Sequence, residues 1–429
     1  MLTFLFILIL LALLMALRLP IAFAMGIAGF AGLSMQLGYS PALAVLERVF
    51  YDSSSSFILV AIPLFILMAE VLTAGDVTRR AIVACQSWIG HAKGGLAMAT
   101  VAASVILAAL VGSSTASTAA MAASAFPEMR AHKYADRLSA AVVSVGGTLA
   151  VVVPPSIVLV VYGVLTETSI GKLFIAGIVP GLMTAAGLAL VIKIIAHSTD
   201  QAPKGDPFDL GKAVRTSRHI IPMTLLLLTV IGAIYGGLTS PSEAAALGVM
   251  GALIIVILQR TLSFQAFNRS VSGAIRATVM IVTIVVCSAI FSNYLAFTRI
   301  TQELLEFVSS TDLSREVIMG IIILILLILG MFMDQLAILS LAMPLAFPMA
   351  MALDYNPVWF GIVVTKTVEI GLLTPPLGLN AYVAAAQTGV PLKVIFRGIL
   401  PFLAMEMLVL LILLAFPQIT LWLPALMLK

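Results

Sequence analysis

The chain has 429 residues, of which 62% are hydrophobic and only 10% are charged, and its formal net charge is +4. A soluble domain carries about 25% charged residues, so this composition excludes a soluble protein and indicates one embedded in a lipid bilayer. The basic residues are scattered among loops, which indicates membrane orientation and no nucleic-acid partner. Two cysteines cannot form a disulfide framework. The absence of alternating ten-residue strand patterns favours helices over a barrel.

Apolar runs long enough to span a bilayer as helices predict five crossings in the first half. They cover residues 2–17, 20–37, 94–126, 138–164 and 172–196. The run 2–17 has no basic segment before it and no convincing small-residue cleavage site, which favours a retained helix over a cleaved signal peptide. The stretch 49–75 is also apolar but contains four consecutive serines and Pro63. We interpret it as a re-entrant hairpin, with one long, tilted helix as the alternative.

The second half follows a polar segment, 197–219, which we interpret as the linker between two repeats, 1–196 and 220–429. Its predicted crossings cover 220–239, 241–259, 316–352, 357–386 and 393–425. The stretch 273–308 has Ser288 and Ser292-Asn293 near its centre and is interpreted as a second hairpin. The predicted scaffold helices are 2–37, 172–196, 220–259 and 393–425, and the predicted broken helices are 94–164 and 316–386.

A constant offset of 221 residues relates the two halves. Pro20 aligns with Pro241, and Pro154-Pro155 aligns with Pro375-Pro376. Leucine-rich sequences match one another by chance, but prolines that break helices do not readily do so at one fixed offset. A duplicated half with interrupted helices is typical of a secondary transporter. Five crossings in each half, an odd number, predict an all-α membrane protein whose two repeats are inverted relative to each other.

A run of glycine, serine and threonine interrupts the segment 94–126, from Gly112 to Thr118. These residues are poor helix formers, and an unwound turn would expose oxygen atoms that suit Na⁺. Close helix packing through small residues is the alternative. The offset aligns Ser113 with Asp334, an ionisable residue whose burial in an apolar segment is costly and therefore indicates function. An ionised Asp334 would ligate Na⁺ or polarise a hydroxyl group, and a protonated one would relay protons.

Each half also contains a double proline preceded by glycine and threonine. Gly147-Thr148 comes before Pro154-Pro155, and Gly371 and Thr374 come before Pro375-Pro376. Two adjacent prolines remove two N–H donors and hold the preceding residue extended, so each segment is predicted to split into two half-helices. Free carbonyls then lie beside the positive end of the next half-helix, an arrangement that holds a cation and an anion side by side. A plain kink is the alternative.

Other charged residues at membrane depth have simpler interpretations. Glu70, Glu243 and Glu406 lie close to predicted helix ends, where their carboxylates can reach water. Lys366 and Glu369 lie three residues apart on one helix face and can neutralise each other, although Glu369 is also close enough to the break to act there.

Several motifs together resemble the large membrane subunit of tripartite ATP-independent periplasmic (TRAP) transporters, over essentially the whole chain. They are the runs GSSTAS, VPPS and TPPLG and the opening RLPIAFAMG. The resemblance implies a Na⁺-coupled importer of the bacterial inner membrane that works by an elevator motion. It implies two partners, a small four-helix membrane subunit and a periplasmic substrate-binding protein. The substrate would be a carboxylate-containing organic anion, a C4-dicarboxylate or sialic acid, with overall likeness favouring sialic acid.

The resemblance also assigns site residues and no cofactor other than the coupling ion. The first Na⁺ site would comprise Ser113, Ser114, Thr115, Ser117, Gly147 and Thr148. The second would comprise Asp334, Thr374, Gly378 and Asn380. The substrate carboxylate would lie between them, near Ser54, Ser55, Ser56, Pro155, Ser292, Asn293 and Pro376. Half-helix N-termini and bound Na⁺ would supply the positive field, because no lysine or arginine is placed confidently at the midplane.

Three other classes of protein share parts of this pattern. A stand-alone symporter of the citrate or dicarboxylate type, coupled to Na⁺ or H⁺, would have similar repeats but no binding protein. An intramembrane serine enzyme would need a base beside its nucleophile, yet the histidines fall in or beside loops and Lys366 is the only buried lysine candidate. A channel is disfavoured because paired hairpins indicate alternating access, and a steep, saturable Na⁺ dependence would exclude a simple pore.

Overall fold

The computed structural model describes residues 2–75, 77–205, 207–218, 220–310 and 313–427. The first half contains helices α1 (Leu2–Ala16), α2 (Ile21–Leu37), α3 (Tyr39–Ser54), α4 (Ala61–Ala74), α5 (Val77–Ile89), α6 (Gly95–Val111), α7 (Ser114–Ala131), α8 (Asp136–Val152), α9 (Ile157–Thr166) and α10 (Ile170–Ser198), with a 3-10 helix, Phe57–Val60, before α4. The second half contains α11 (Leu210–Ser217), α12 (Ile221–Tyr235), α13 (Pro241–Leu258), α14 (Phe264–Thr298), α15 (Ile300–Ser310), α16 (Arg315–Gly330), α17 (Gln335–Ala352), α18 (Pro357–Gly371), α19 (Leu379–Thr388), α20 (Leu392–Ala415) and α21 (Gln418–Ala425). Seven segments of this part of the chain are long and apolar enough to cross a membrane, or eight if the bent pair α11–α12 counts as one span. The predicted all-helical polytopic fold is confirmed.

Both double prolines interrupt a crossing. Pro154-Pro155 separates α8 from α9, and Pro375-Pro376 separates α18 from α19. Proline cannot donate the backbone hydrogen bond that would continue the helix, so a new half-helix has to begin beyond each pair. Ser156 caps α9, where its hydroxyl accepts the Leu159 N–H at 3.4 Å. Gly378 occupies the corresponding position before α19 in the left-handed conformation, with φ of +57°.

The predicted broken crossing 94–126 is instead a helical hairpin formed by α6 and α7. Thr100 Oγ1, near the start of α6, lies 3.9 Å from Met129 Sδ, near the end of α7. The tip at Gly112 packs against Ile157, the first residue after the break between α8 and α9. Because the hairpin ends where that crossing is interrupted, it enters and leaves on one side. The chain reverses direction at Gly112, whose φ is +62°, and composition alone does not distinguish such a reversal from a straight break.

The segment 316–352 forms the second hairpin, with α16 and α17 as its arms. At its base, Tyr355 Oη donates to the carbonyl oxygen of Arg315 at 3.4 Å. At its tip, Gly330 abuts Gly371 so closely that a Cβ on Gly330 would lie 2.8 Å from the Gly371 Cα. Since Gly371 ends α18, this tip also lies beside an interrupted crossing.

The two stretches that were predicted to be hairpins differ from that prediction. The stretch 273–308 is largely one continuous helix, because α14 runs for 35 residues. Asn293 Nδ2 donates to the Ala289 carbonyl at 2.9 Å, so this polar side chain bonds within the helix without breaking it. The stretch 49–75 is interrupted at Ser55-Ser56, but α3 lies against α2 and α14 while α4 lies mainly against α13 and α14. The two pieces therefore share α14 as a neighbour, but their other main contact differs, with α2 for α3 and α13 for α4.

The two broken crossings run in opposite directions. Arg137 Nη2, at the start of α8, donates to the Arg397 carbonyl at 2.7 Å, close to the start of α20. Tyr162 Oη, in α9, donates to the Pro357 carbonyl at 2.8 Å, at the start of α18. The second crossing therefore begins on the side where the first ends, and the chain returns to the starting side before α20.

This antiparallel arrangement predicts the accessibility of engineered cysteines. We expect cysteines at Lys133 and Lys393 to react with a membrane-impermeant maleimide from one side, and cysteines at Glu167 and Asp354 from the other. All four positions are exposed, and both native cysteines are buried, which keeps the background low. Labelling in sealed vesicles of known orientation measures the result. Labelling at Lys133 and Lys393 from opposite sides would contradict the fold.

The segments predicted as scaffold, 172–196 and 393–425, pack elsewhere. The helix α10 packs against α20, α18 and α8, and α20 also packs against α8, so both belong with the hairpins and broken crossings. A second set of contacts joins α2 to α14 and α13 to α4. The predicted linker 197–219 contains α11, and its residues Asp206 and His219 lie outside the described residues.

Candidate functional site

The tip of the first hairpin reaches the broken crossing of the second half. Ser113 is the N-cap of α7, and its hydroxyl lies 3.3 Å from Thr115 Oγ1. Ser114 Oγ donates to Asn380 Oδ1 at 3.2 Å, and both side chains are fully buried. Among the described residues, Ser117 Oγ is a buried oxygen with no hydrogen-bond partner. Asn380 was predicted to share a site with Asp334, but its side chain contacts the first tip.

Gly147 allows α7 to press directly on α8 behind this tip. A Cβ on Gly147 would overlap Thr118 Oγ1 and would lie 2.7 Å from the Thr118 backbone nitrogen. The next residue, Thr148, donates its hydroxyl to the Val145 carbonyl at 2.8 Å and is fully buried. The predicted first-site residues on α7 and α8 therefore lie on helices that are in contact.

The tip of the second hairpin places Asp334 as the N-cap of α17. Its neighbour Gln335 was not selected from the sequence, yet Gln335 Oε1 is a buried oxygen without a partner in the described part of the chain. The offset of 221 aligns Gln335 with Ser114, and this alignment is the signal that could have identified it. Thr374 Oγ1 donates to the Ile370 carbonyl at 2.7 Å, just before the second break.

Three of the predicted substrate residues line one cavity of about 300 Å³ between α3, α9 and α14. They are Ser56, Ser292 and Asn293, and the cavity is also lined by the polar residues Asp52, Ser53, Glu167 and Ser288. The others are dispersed. Ser54 and Ser55 are exposed and bond within their own helix, Pro155 is buried at the first break, and Pro376 is exposed at the second.

Lys366, Glu369 and Glu406 form a buried charged cluster. The sequence predicted the contact between Lys366 and Glu369 but not the participation of Glu406. Lys366 Nζ donates to Thr184 Oγ1 at 2.8 Å and to Glu369 Oε2 at 3.0 Å, and it makes a still closer contact with Glu406 Oε2. The predicted access of Glu406 to water is wrong, because its side chain is only 1% exposed. By contrast, Glu243 is exposed and completes a capping box with Ser240 at the start of α13.

The oxygen atoms at the two tips fit a hard monovalent cation. Hard cations favour oxygen ligands, and interrupted helices supply them as carbonyls and hydroxyls inside a membrane. Each tip contains a buried side-chain oxygen without a partner in the described ranges, Ser117 Oγ in one and Gln335 Oε1 in the other. The second tip adds the acidic side chain of Asp334, so the two tips differ in the ligands that they offer.

Re-entrant hairpins that meet interrupted, antiparallel crossings define a polytopic membrane transport protein. Residues 8–419 match the family described as "Tripartite ATP-independent periplasmic transporter, DctM component". The chain belongs to this family, and the resemblance drawn from the sequence motifs is confirmed.

Named relatives cover nearly the whole chain. It is 36% identical over 398 residues to the C4-dicarboxylate TRAP transporter large permease protein DctM of Pseudomonas aeruginosa. The aligned region covers 92% of this chain and 93% of that relative. The chain is 32% identical to the sialic acid TRAP transporter large permease protein SiaM of Vibrio cholerae, with 87% of each chain covered. The structure of the Alcanivorax borkumensis YdaH transporter shares the fold, with a TM-score of 0.64, 13% identity and 89% of each chain covered.

Proposed function

We propose that this protein is the transport subunit of a Na⁺-coupled importer for a carboxylate-containing organic anion of the C4-dicarboxylate or sialic acid class. The family and the names of its relatives support transport of small organic acids. The observation that carries the proposal is the buried bond between Ser114, at a hairpin tip, and Asn380, beyond the break in the opposite half. It joins two loose helix ends from different halves at one place, as a site that closes around an ion requires.

Na⁺ would supply the positive charge that the substrate carboxylate needs. Ser114, Ser117 and Thr148 are the side chains best placed to hold it at the first tip, and Asp334 and Gln335 at the second. Helix N-termini add to the field, because α7, α9, α17 and α19 all begin at a tip or a break. Na⁺ and the helix N-termini would together replace a lysine at the substrate site. Because the substrate would depend on bound Na⁺ for its counter-charge, its transport would be coupled to that of Na⁺.

The packing suggests which parts move. The hairpins, the broken crossings, α10 and α20 would travel together across the bilayer as the elevator, against a frame that includes α2, α4, α13 and α14. Two inverted repeats would give the outward-facing and inward-facing arrangements similar free energies, which suits alternating access. The antiparallel broken crossings and the matched offset of their interruptions support this assignment.

Two partners complete the proposed system in the bacterial inner membrane. A small four-helix membrane subunit would support the frame, and a periplasmic binding protein would deliver the substrate. We propose no enzymatic activity, because the named relatives are transporter permeases. A stand-alone symporter coupled to Na⁺ or H⁺ is the competing function, and it differs by having no need of a binding protein.

Reconstitution tests the proposal. We expect proteoliposomes with all three subunits to accumulate labelled succinate or labelled sialic acid when a Na⁺ gradient is imposed. When K⁺ replaces Na⁺, the rate of uptake is expected to fall at least about tenfold. Leaving out the binding protein is expected to abolish uptake. Uptake driven by a proton gradient and indifferent to Na⁺ would overturn the cation assignment, and full uptake without the binding protein would favour the stand-alone symporter.

A further inference from the structure

The charged cluster of Lys366, Glu369 and Glu406 contains two carboxylates and one ammonium group. All three side chains are buried, with exposures of 0%, 0% and 1%. Lys366 Nζ contacts one oxygen of each carboxylate, and the other oxygen of each, Oε1, is buried without a partner among the described residues. When ionised, the cluster carries one more negative charge than positive. Buried charges of this kind are costly unless something compensates them.

The position of the cluster indicates what compensates it. Glu369 lies beside the side chain of Thr148, which belongs to α8 behind the first tip. Glu369 and Thr148 are also 221 residues apart, so the two equivalent positions of the repeat meet at this point. Two residues beyond Glu369, Gly371 packs against Gly330 at the tip of the second hairpin. Glu369 therefore connects the cluster to both tips, through Thr148 to the first and through the end of α18 to the second.

Only the second half carries these charges. The offset aligns Lys366 with Val145 and Glu406 with Ala185. The cluster draws its members from α18 and α20, and Thr184 of α10 completes the coordination of the ammonium group. A set of charges that merely tied helices together could contain equal numbers of acidic and basic groups, whereas this one contains two carboxyl groups and one amine.

We propose that the surplus negative charge of this cluster increases the affinity of the neighbouring hairpin tips for their coupling cations, with Glu406 acting as a positioning residue that does not itself touch the ion. The inference rests on the proposed Na⁺ coupling. Electrostatic attraction acts over longer distances inside a protein than in water, because the effective dielectric constant is lower. The cation in turn balances the cluster, so each stabilises the other.

The test measures Na⁺ binding without transport. The purified full chain is heated in increasing NaCl, with choline chloride keeping the ionic strength constant, and the unfolding midpoint reports Na⁺ binding. We expect Glu406→Gln to raise the half-saturating Na⁺ concentration about tenfold, as a unit charge roughly 10 Å away does at an effective dielectric constant of about 20. Glu369→Gln removes the same charge from the other carboxylate and is expected to raise it at least as much.

A conservative variant separates charge from packing. Glu406→Asp keeps the charge but shortens the side chain, so this variant is expected to bind Na⁺ more tightly than the Glu406→Gln variant. A purely structural role predicts the reverse order, because glutamine matches the shape of glutamate better than aspartate does. Glu128→Gln, at an exposed position of α7, is the control and is expected to match the wild type. If the wild type gains stability from Na⁺ but neither Gln variant shifts the half-saturation, this inference is wrong and the proposed function stands. If Na⁺ does not stabilise the wild type, both are wrong.

Discussion

Replacement of Asp334 by alanine is expected to reduce Na⁺-driven uptake by at least about 100-fold while leaving membrane insertion and folding intact. Asp334 is the acidic residue at the tip of the second hairpin, where it occupies the N-cap position of α17 beside Gln335, whose Oε1 is buried without a partner in the described part of the chain. Loss of the carboxylate would remove about 3 kcal/mol of cation binding, at about 1.4 kcal/mol for each factor of ten. Uptake by proteoliposomes at fixed substrate and varied Na⁺ measures the effect.

Two controls make this result specific. Asp200→Ala changes an exposed aspartate in the segment between the halves and is expected to transport at the wild-type rate. Asp334→Asn keeps the shape but removes the charge, and it is expected to be nearly as impaired as the alanine variant. Wild-type uptake by Asp334→Ala would show that the carboxylate is incidental and would remove the second Na⁺ site from the proposal.

Replacement of Gly147 by alanine is expected to lower the unfolding midpoint by several degrees and to abolish uptake. The added Cβ would overlap Thr118 Oγ1 and press on the Thr118 backbone, so α7 and α8 could not remain at their present separation. Overpacking of a tight contact typically costs about 1–3 kcal/mol, and here the displaced atoms belong to the arm that carries the first tip. Thermal unfolding and uptake measured on the same preparation report both effects.

Gly320→Ala is the matched control for this substitution. Gly320 lies in the interior of α16, and no atom lies within 4 Å of the position that its Cβ would occupy. Alanine is favoured over glycine in a helix interior by about 1 kcal/mol, so the midpoint is expected to stay unchanged or rise. A Gly147→Ala protein that is as stable and active as the wild type would contradict the close packing of the hairpin on α8.

The sequence was most informative where a local rule governs the backbone. Double prolines remove hydrogen-bond donors whatever surrounds them, so the interruptions at Pro154-Pro155 and Pro375-Pro376 could be predicted together with their spacing. It was least informative about the path of the chain between interruptions. The serines near 54 and 292 and those near 113 have similar composition, yet only the last mark a hairpin tip, because the reversal depends on the neighbouring helix that each arm packs against.

The same distinction holds for the site. The residues predicted for the first tip lie on or beside α7 and α8, which are in contact. Asn380, predicted with the second tip, instead bonds to Ser114 of the first, because that contact depends on how the two halves dock. Lys366 and Glu369 share one face of α18, so their proximity could be predicted. Glu406 lies 40 residues after Lys366 and joins the pair only because α20 packs on α18. No spacing rule connects residues on separate helices.

Local chemistry along the chain was thus sufficient to predict a membrane-embedded helical protein, its two interrupted crossings and its family, because hydrophobicity and proline act on the residues that carry them. Three features instead followed from contacts between helices distant in sequence: which segments turn back as hairpins, that Asn380 meets the first tip, and where the cluster of Lys366, Glu369 and Glu406 is buried. Those contacts depend on shape and on small residues such as Gly147 that let two helices touch, and they arise only when the whole chain is packed.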